Sequence, residues 1–322
     1  MLRIDPAAET DKICQTIRTQ VSSVLGKRGV VVAMSGGIDS SVCAALCARA
    51  LGPDRILGLI LPDQNSSCES AQLAKLVAES LHVSTQTIDI SPVLSAVGMY
   101  EQYDTVMRGQ IPEYSTGWSS KLTIEPIAPD RPYSIFYLVV QDPQGASRKI
   151  RLKVEDYLSV VSLVNYKQRV RMMLCYHHAD RLNRAVASTP NRLEHDLGFF
   201  VKLGDGGGDF KPIAHLYKSQ VYQIAQFLGV PREVIDRRPT TDTYSLPQGQ
   251  DEFYFRADLQ TVDCCLYGMN HGFAPDEIAQ SLGKDPHFIK ALFDDLDRKR
   301  KAASYLLSPP LAVEPGMARV AS

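Results

Sequence analysis

"VVVAMSGGIDSSVCAAL" occupies residues 30–46. Val30 to Met34 is an unbroken apolar run, the pattern of a strand buried on both faces. Ser40 to Leu51 has helical spacing and stops at Gly52-Pro53. Between the two lie Ser35, Gly36, Gly37, Ile38 and Asp39. A strand, a small-residue turn and a helix, in that order, gather free backbone N–H groups at a helix N-terminus. The helix dipole favours negative charge at the same spot. Gly36 and Gly37 let the backbone bend and an anion come near, and Ser35, Ser40 and Ser41 add hydroxyl donors. Asp39 would repel that anion unless a divalent cation lay between them. Mg²⁺ commonly takes one or two carboxylates together with phosphate oxygens. The stretch lacks the Lys-Ser/Thr pair of a Walker A loop and the spacing of G-x-G-x-x-G.

Working outward, 12–28 reads as an amphipathic helix, Ile56 to Leu61 as a second strand, Ser70 to Leu81 as a helix and Val83 to Ile90 as a third strand. This rhythm predicts an α/β fold: a doubly wound parallel sheet with right-handed crossovers and helices on both faces. Residues 104–156 break it. Within them two strands flank an Asp142-Pro143-Gln144-Gly145 turn, so the stretch reads as a β-hairpin insertion. Helical pattern resumes from Leu158 to about Asp180, a short fourth strand spans Arg184 to Ser188, and a glycine-rich loop precedes a helix from Lys218 to Leu228. Residues 239–256 read as a polar loop and 275–306 as C-terminal helix. The expected organisation is one domain over 1–307 and a disordered tail over 308–322.

The 322 residues carry a formal net charge of −1, with 44% hydrophobic and 22% charged residues, the balance of a soluble globular protein. Nothing in that balance points to nucleic acid, and no apolar stretch is long enough for a membrane span. The N-terminus has no apolar signal core, so a cytoplasmic location is the expectation. Seven cysteines at irregular spacing read as reduced thiols.

Three further motifs follow in order. "NYKQRVRM" (165–172) puts Asn165 and Arg169 on one helical face. "STPNRLEHDLGFFVKLGDGGGDFKPIAHLYKSQV" (188–221) follows a strand end, and "RRPTTDTYSLPQGQDEFYF" (237–255) comes after it. S-G-G-x-D-S after a strand resembles the loop of ATP-pyrophosphatases. With the later motifs the chain resembles the NAD synthetase family, whose members amidate nicotinic acid adenine dinucleotide with ATP and ammonia.

The resemblance implies that Ser35, Gly36, Gly37, Asp39 and Ser40 cradle ATP, joined by Thr189, Lys218, Thr240 and Thr241. It implies Mg²⁺ on Asp39 and Glu194. It assigns the acyl substrate to Asn165, Arg169, Lys202, Asp205 and Asp209, with Asp39, Lys218 and Asp205 as catalytic groups. It also implies a homodimer, its surface on the helices after residue 158, because the family builds its substrate site at a two-fold interface. No nitrilase-like glutaminase precedes the phosphate loop, so the nitrogen is expected from free ammonia or a separate donor. The chain departs from the family pattern at Gln168, Val201, Pro190 and Thr241, chiefly on the acyl side. A related ligase adenylating a different carboxylate is therefore the alternative.

Overall fold

The computed structural model describes residues 2–128, 135–241 and 243–313. Chain order begins with α1 (Pro6–Arg18), β1 (Val30–Ala33), α2 (Ile38–Leu51), β2 (Ile56–Ile60), α3 (Cys68–Ser80), β3 (Ser84–Thr87), α4 (Ser91–Ala96) and α5 (Met99–Gln110). Strands β4 (Ser119–Ile124), β5 (Phe136–Gln141) and β6 (Ser147–Arg151) follow, then α6 (Val154–Leu182) and β7 (Ala185–Ala187). The chain continues through α7 (Arg192–Leu197), α8 (Lys218–Phe227), α9 (Arg232–Ile235), α10 (Leu259–His271), α11 (Pro275–Leu282) and α12 (Pro286–Leu307).

The central sheet runs β3-β2-β1-β7, all parallel. Its register starts at Val30↔Ile56 on one side of β1 and at Val30↔Ala185 on the other. Successive side chains of a strand point to opposite faces, and β1 is apolar at every position because both faces are covered. Val30 and Val32 pack with α1, α2, α3 and α8, whereas Val31 packs with α4 and α6. Helix α2 is buried nearly all round, and its small residues Ala44, Ala45 and Ala48 let neighbouring elements come close. Asp5 caps α1 by accepting from the Ala7 and Ala8 amides, and Asn183, in the left-handed region, ends α6. This is the α/β architecture with helices on both faces that the sequence predicts.

Several boundaries differ from the expectation. Helix α5 runs through 104–110 and α6 starts at Val154, so the stretch between them is shorter than 104–156. It forms a three-stranded antiparallel sheet, β4-β5-β6, rather than a two-stranded hairpin. The expected turn is there: Asp142 accepts from the Gln144 and Ala146 amides, and Gly145 has φ +89. The added strand β4 is polar at four of its six positions, with Ser120, Leu122 and Ile124 turned inward. The C-terminal helix is broken at Gly283, where Asp285 caps a new start at Pro286. Helix α10, in a stretch without an assigned element, completes a core with α7, α11 and α12 around Phe255, Leu266 and Leu296. The first helix starts at Pro6 and passes after Arg18 into a π-helical turn. All seven cysteines are free thiols. In the expected tail, 308–313 has no helix or strand, and 314–322 lies outside the described residues.

Beyond β2 the chain is fastened by charge. The Asp63 carboxylate is fully enclosed and accepts from the Lys167 ammonium at 3.1 Å and the Arg171 guanidinium at 3.0 Å, both on α6. Arg171 also donates to the Leu61 carbonyl, and Lys167 to the Thr243 carbonyl. Two cations share one buried anion, so removing it leaves charge in the interior. Asp63→Ala is expected to cost about 3–5 kcal/mol of stability, read by urea denaturation.

Candidate active site

The Ser35–Ser40 turn is held by its own hydroxyls. Ser35 Oγ accepts from the Gly37 amide, Ser40 Oγ accepts from the Ser35 amide, and the Ser40 and Ser41 hydroxyls donate to the Gly37 carbonyl. Gly36 has φ +76, and a Cβ there would meet the Ser70 carbonyl oxygen at 2.3 Å, so α3 presses against the turn and admits no side chain. Gly37 is the N-cap of α2 and offers no side chain to its first-turn amides. Those amides therefore remain available to an anion.

Asp39, in that first turn, faces residues from two other elements, α8 and the start of α7. Lys218, at the start of α8 with its side chain 3% exposed, donates its ammonium to Asp39 Oδ2. The lysine is aimed by α10: Asp263 accepts from the Lys218 amide at 3.0 Å and from the Ser219 amide at 2.7 Å. Asn191 caps α7 by accepting from the Leu193 and Glu194 amides, and its side-chain nitrogen donates to Asp39 Oδ1 at 2.9 Å. Glu194 completes the capping box by accepting from the Asn191 amide. Its other oxygen accepts from the Gln250 side chain at 3.1 Å. Asn191 thus holds both carboxylates in one frame.

The electrostatics follow from that crowding. Burial first, then the Asp39 charge, push the Glu194 carboxyl well above the usual carboxylate range. Burial alone would lower Lys218, but Asp39 and Glu194 more than offset it and raise its pKa. Asp205, its carboxylate enclosed and accepting from the Val201 amide, is pushed up to about 6 by burial.

A cavity of about 510 Å³ opens over these groups. Of the sequence-predicted residues it is lined by Ser35, Gly37, Asp39, Ser40, Asn165, Thr189, Glu194, Asp205, Lys218, Thr240 and Thr241, with Gly36 in the turn beneath. Three lie outside it. Arg169 is exposed and donates to the Lys202 carbonyl. The Lys202 ammonium donates to the Tyr305 and Ser308 carbonyls at the end of α12. Asp209 accepts from the Val186 amide at 2.7 Å and the Tyr176 hydroxyl, which ties it to β7. Asp242, of the Pro-Thr-Thr-Asp run, lies outside the described residues. Asn191, Gln250, Asp263 and Arg171 escape sequence reading. Only Asn191 carries a local signal, the Asn-x-x-Glu of a capping box. Among the described residues no cluster of three or more His, Cys, Asp or Glu is placed to hold a metal.

A parallel sheet whose first strand ends in a small-residue turn at a helix N-terminus, beside two carboxylates and a lysine in one cavity, is the arrangement that the resemblance implies for a nucleotide-binding enzyme of the ATP-pyrophosphatase class. The model of the NAD synthase family matches residues 9–110 and 140–302, and the chain belongs to that family. It is 50% identical over 311 residues to an NH(3)-dependent NAD(+) synthetase of Mesorhizobium japonicum, covering 97% of this chain and 98% of that one. A relative of the same name from Methanocaldococcus jannaschii is 32% identical over 285 residues, with 88% and 89% covered. In fold the chain is similar to an NMN synthetase from Francisella tularensis, with TM-score 0.65 and 22% identity over 98% of this chain and 100% of that one. It is also similar to an NH3-dependent NAD synthetase from Campylobacter jejuni, with TM-score 0.63 and 23% identity over 97% and 100%.

Asp205 gives a pH prediction. Folding raises its pKa from 3.8 to about 6, so the fold is favoured while the carboxyl is protonated. That advantage is full below pH 3.8 and lost as pH rises through about 6, by up to about 3 kcal/mol. Asp205→Asn removes the ionisation. Urea denaturation should show the variant gaining on wild type between about pH 4 and pH 7.5.

Proposed function

We propose that this protein adenylates the carboxylate of nicotinic acid adenine dinucleotide with ATP and transfers the acyl group to ammonia, giving NAD, AMP and pyrophosphate. The observation that carries the reading is the convergence of the Ser35–Ser40 turn, Asp39, Glu194 and Lys218 on one cavity. The chain around them is half identical to an NH(3)-dependent NAD(+) synthetase. The first-turn amides of α2 and the Ser35 and Ser40 hydroxyls hold the β- and γ-phosphates, and Lys218 neutralises the leaving pyrophosphate. Thr189, Thr240 and Thr241 line the nucleotide side, and Asn165 and Asp205 the acyl side. The substrate carboxylate attacks the α-phosphorus, and the bond to the bridging oxygen of the β-phosphate breaks. Ammonia then attacks the acyl carbon, AMP leaves, and a proton passes from nitrogen to solvent. Among the described residues no helix is long and apolar enough to cross a membrane.

The donor set fits Mg²⁺. Two carboxylates come from different helices, and the charge of one lifts the pKa of the other, a conflict that a dication removes. Asp39 and Glu194 would hold the ion, which when bound supplies neutralisation of the phosphate charge. Lys218, already donating to Asp39, stays beside it as a second positive charge.

Arg169 finds its use between two copies. On α6 it shares a stripe with Val154, Leu158, Tyr166 and Met173, exposed apolar or aromatic side chains that recur on one helical face. A homodimer packed on this stripe buries it and carries Arg169, and the Lys202 and Asp209 loop behind it, toward the partner's acyl substrate.

With nicotinic acid adenine dinucleotide, ATP, Mg²⁺ and ammonium the enzyme is expected to form NAD and pyrophosphate one to one. ATP cleavage on another acid, such as nicotinate mononucleotide, without NAD formation would overturn the reading. Asp39→Asn is expected to lower kcat by about 10²–10³ with the circular dichroism spectrum unchanged. Arg169→Ala is expected to raise KM for the dinucleotide about tenfold and KM for ATP less than twofold. Equal losses would remove Arg169 from the acyl side.

A further inference from the structure

Strand β4 lies wholly within 111–139, the stretch that the family model leaves unmatched, yet it holds one wall of the cavity. Its partner is the polar segment 243–256. The Ser120 amide donates to Ser245 Oγ at 2.8 Å, and the Leu246 amide returns a bond to the Ser120 carbonyl at 3.2 Å. Lys121 reaches across with its ammonium, to the Pro247 carbonyl at 3.0 Å and the Glu252 carboxylate at 2.8 Å. The Gln248 side chain, 3% exposed, donates to the Leu122 carbonyl. One residue past the strand, the Glu125 carbonyl accepts from Arg256 at 2.7 Å.

The far side of this segment faces the site. Gln248 accepts from the Thr241 amide and from the Thr241 hydroxyl, both near 3.0 Å, and Thr241 lines the cavity. Gln250, two residues on, donates to Glu194. Phe253 and Tyr254 form the adjoining wall. Two links therefore run from β4 toward the cavity: hydrogen bonds from Leu122 to Gln248 to Thr241, and Lys121, bonded to Pro247 and Glu252 on either side of Gln250, whose side chain donates to Glu194.

We infer that β4 is a built-in brace, and that Lys121 is a positioning residue which keeps the 243–256 wall assembled before ATP arrives. Polar segments with little apolar burial open locally at low cost. In this stretch Tyr244 and Phe255 are the buried apolar anchors and Phe253 and Tyr254 pack against Phe199, whereas Ser245, Leu246, Pro247, Gln248 and Glu252 are held by polar bonds to β4. A site whose wall is only partly assembled binds its ligand with an affinity reduced by the assembled fraction, while turnover at saturation is little changed. The brace therefore sets KM for ATP rather than kcat. The inference rests on the cavity being the nucleotide site.

The test compares wild type with Lys121→Met, Lys121→Arg and Ser245→Ala. Arg148→Ala is the control, on outer strand β6, where Arg148 pairs with Glu113. Without nucleotide, chymotrypsin should cut Lys121→Met within 243–256 at least tenfold faster than wild type, with mass spectrometry locating the cut. Saturating ATP and Mg²⁺ should restore protection. KM for ATP should rise about tenfold in Lys121→Met and severalfold in Ser245→Ala, kcat should stay within twofold, and Lys121→Arg and Arg148→Ala should follow wild type. Unchanged cleavage and unchanged KM in a folded Lys121→Met would overturn the brace and leave the proposed reaction standing. So would a fall in kcat with KM constant. A wild type that formed no NAD would remove the proposed reaction, and the cleavage rates would still decide the brace.

Discussion

Two carboxylates that repel one another stand at the centre of this molecule. Asp39 and Glu194 come from helices far apart in sequence and meet at one cavity, so the Asp39 charge adds to the cost of charging the buried Glu194 carboxyl. The surroundings answer that cost. Lys218 supplies a buried positive charge, Asn191 bridges the pair, and Gln250 satisfies the remaining Glu194 oxygen. Lys218 needs its own support, which Asp263 provides by capping the helix that begins there. Five separate stretches thus converge because a concentrated negative charge in an interior is tolerable only when every member is paired. The same concentration is what a polyphosphate and its counterion would complete.

The sheet brings those stretches together, and one long element serves both of its tasks. Helix α6, 29 residues and roughly 44 Å long, covers the far face of β1 and β7 along one side. Along another it sends Lys167 and Arg171 to Asp63, which locks the end of β2 beside the cavity mouth. A third stripe remains apolar and exposed, with Arg169 among it. A hydrophobic pattern divided among three directions is why the periodicity of this helix reads as continuous yet unspecific.

The parts of the fold visible in the sequence are those where local and tertiary demands coincide. Val30 to Met34 is apolar throughout because both its faces are covered, and Ser35 to Gly37 is small because α3 presses on the turn and a helix begins directly after it. Strand β4 is hidden for the opposite reason. Its inward positions start with Ser120, which bonds to Tyr103 and Tyr114 hydroxyls, so alternation of apolar and polar residues is too short to register. Asp263 is hidden because it acts on backbone amides far away in sequence, and no residue near it announces that role. Arg169, Lys202 and Asp209 are assigned by resemblance alone, and none of the three lines the cavity: a motif fixes a residue's place on its helix or loop, but not what that residue touches.

The grip of Lys202 on the last turn of α12 reaches beyond the loop that bears it. The unsatisfied carbonyls at a helix C-terminus attract a cation, and here the Tyr305 and Ser308 carbonyls take the Lys202 ammonium, which also sits over the Tyr305 ring at 4.4 Å. Gly198 presses against Ala303 of the same helix, where a Cβ would stand 2.8 Å from the alanine methyl. Shortening the polypeptide to end before Ala303, a common step in preparing proteins for crystals, would thus unmoor the glycine-rich loop and with it the backbone that seats Asp205, although neither is near the chain's end.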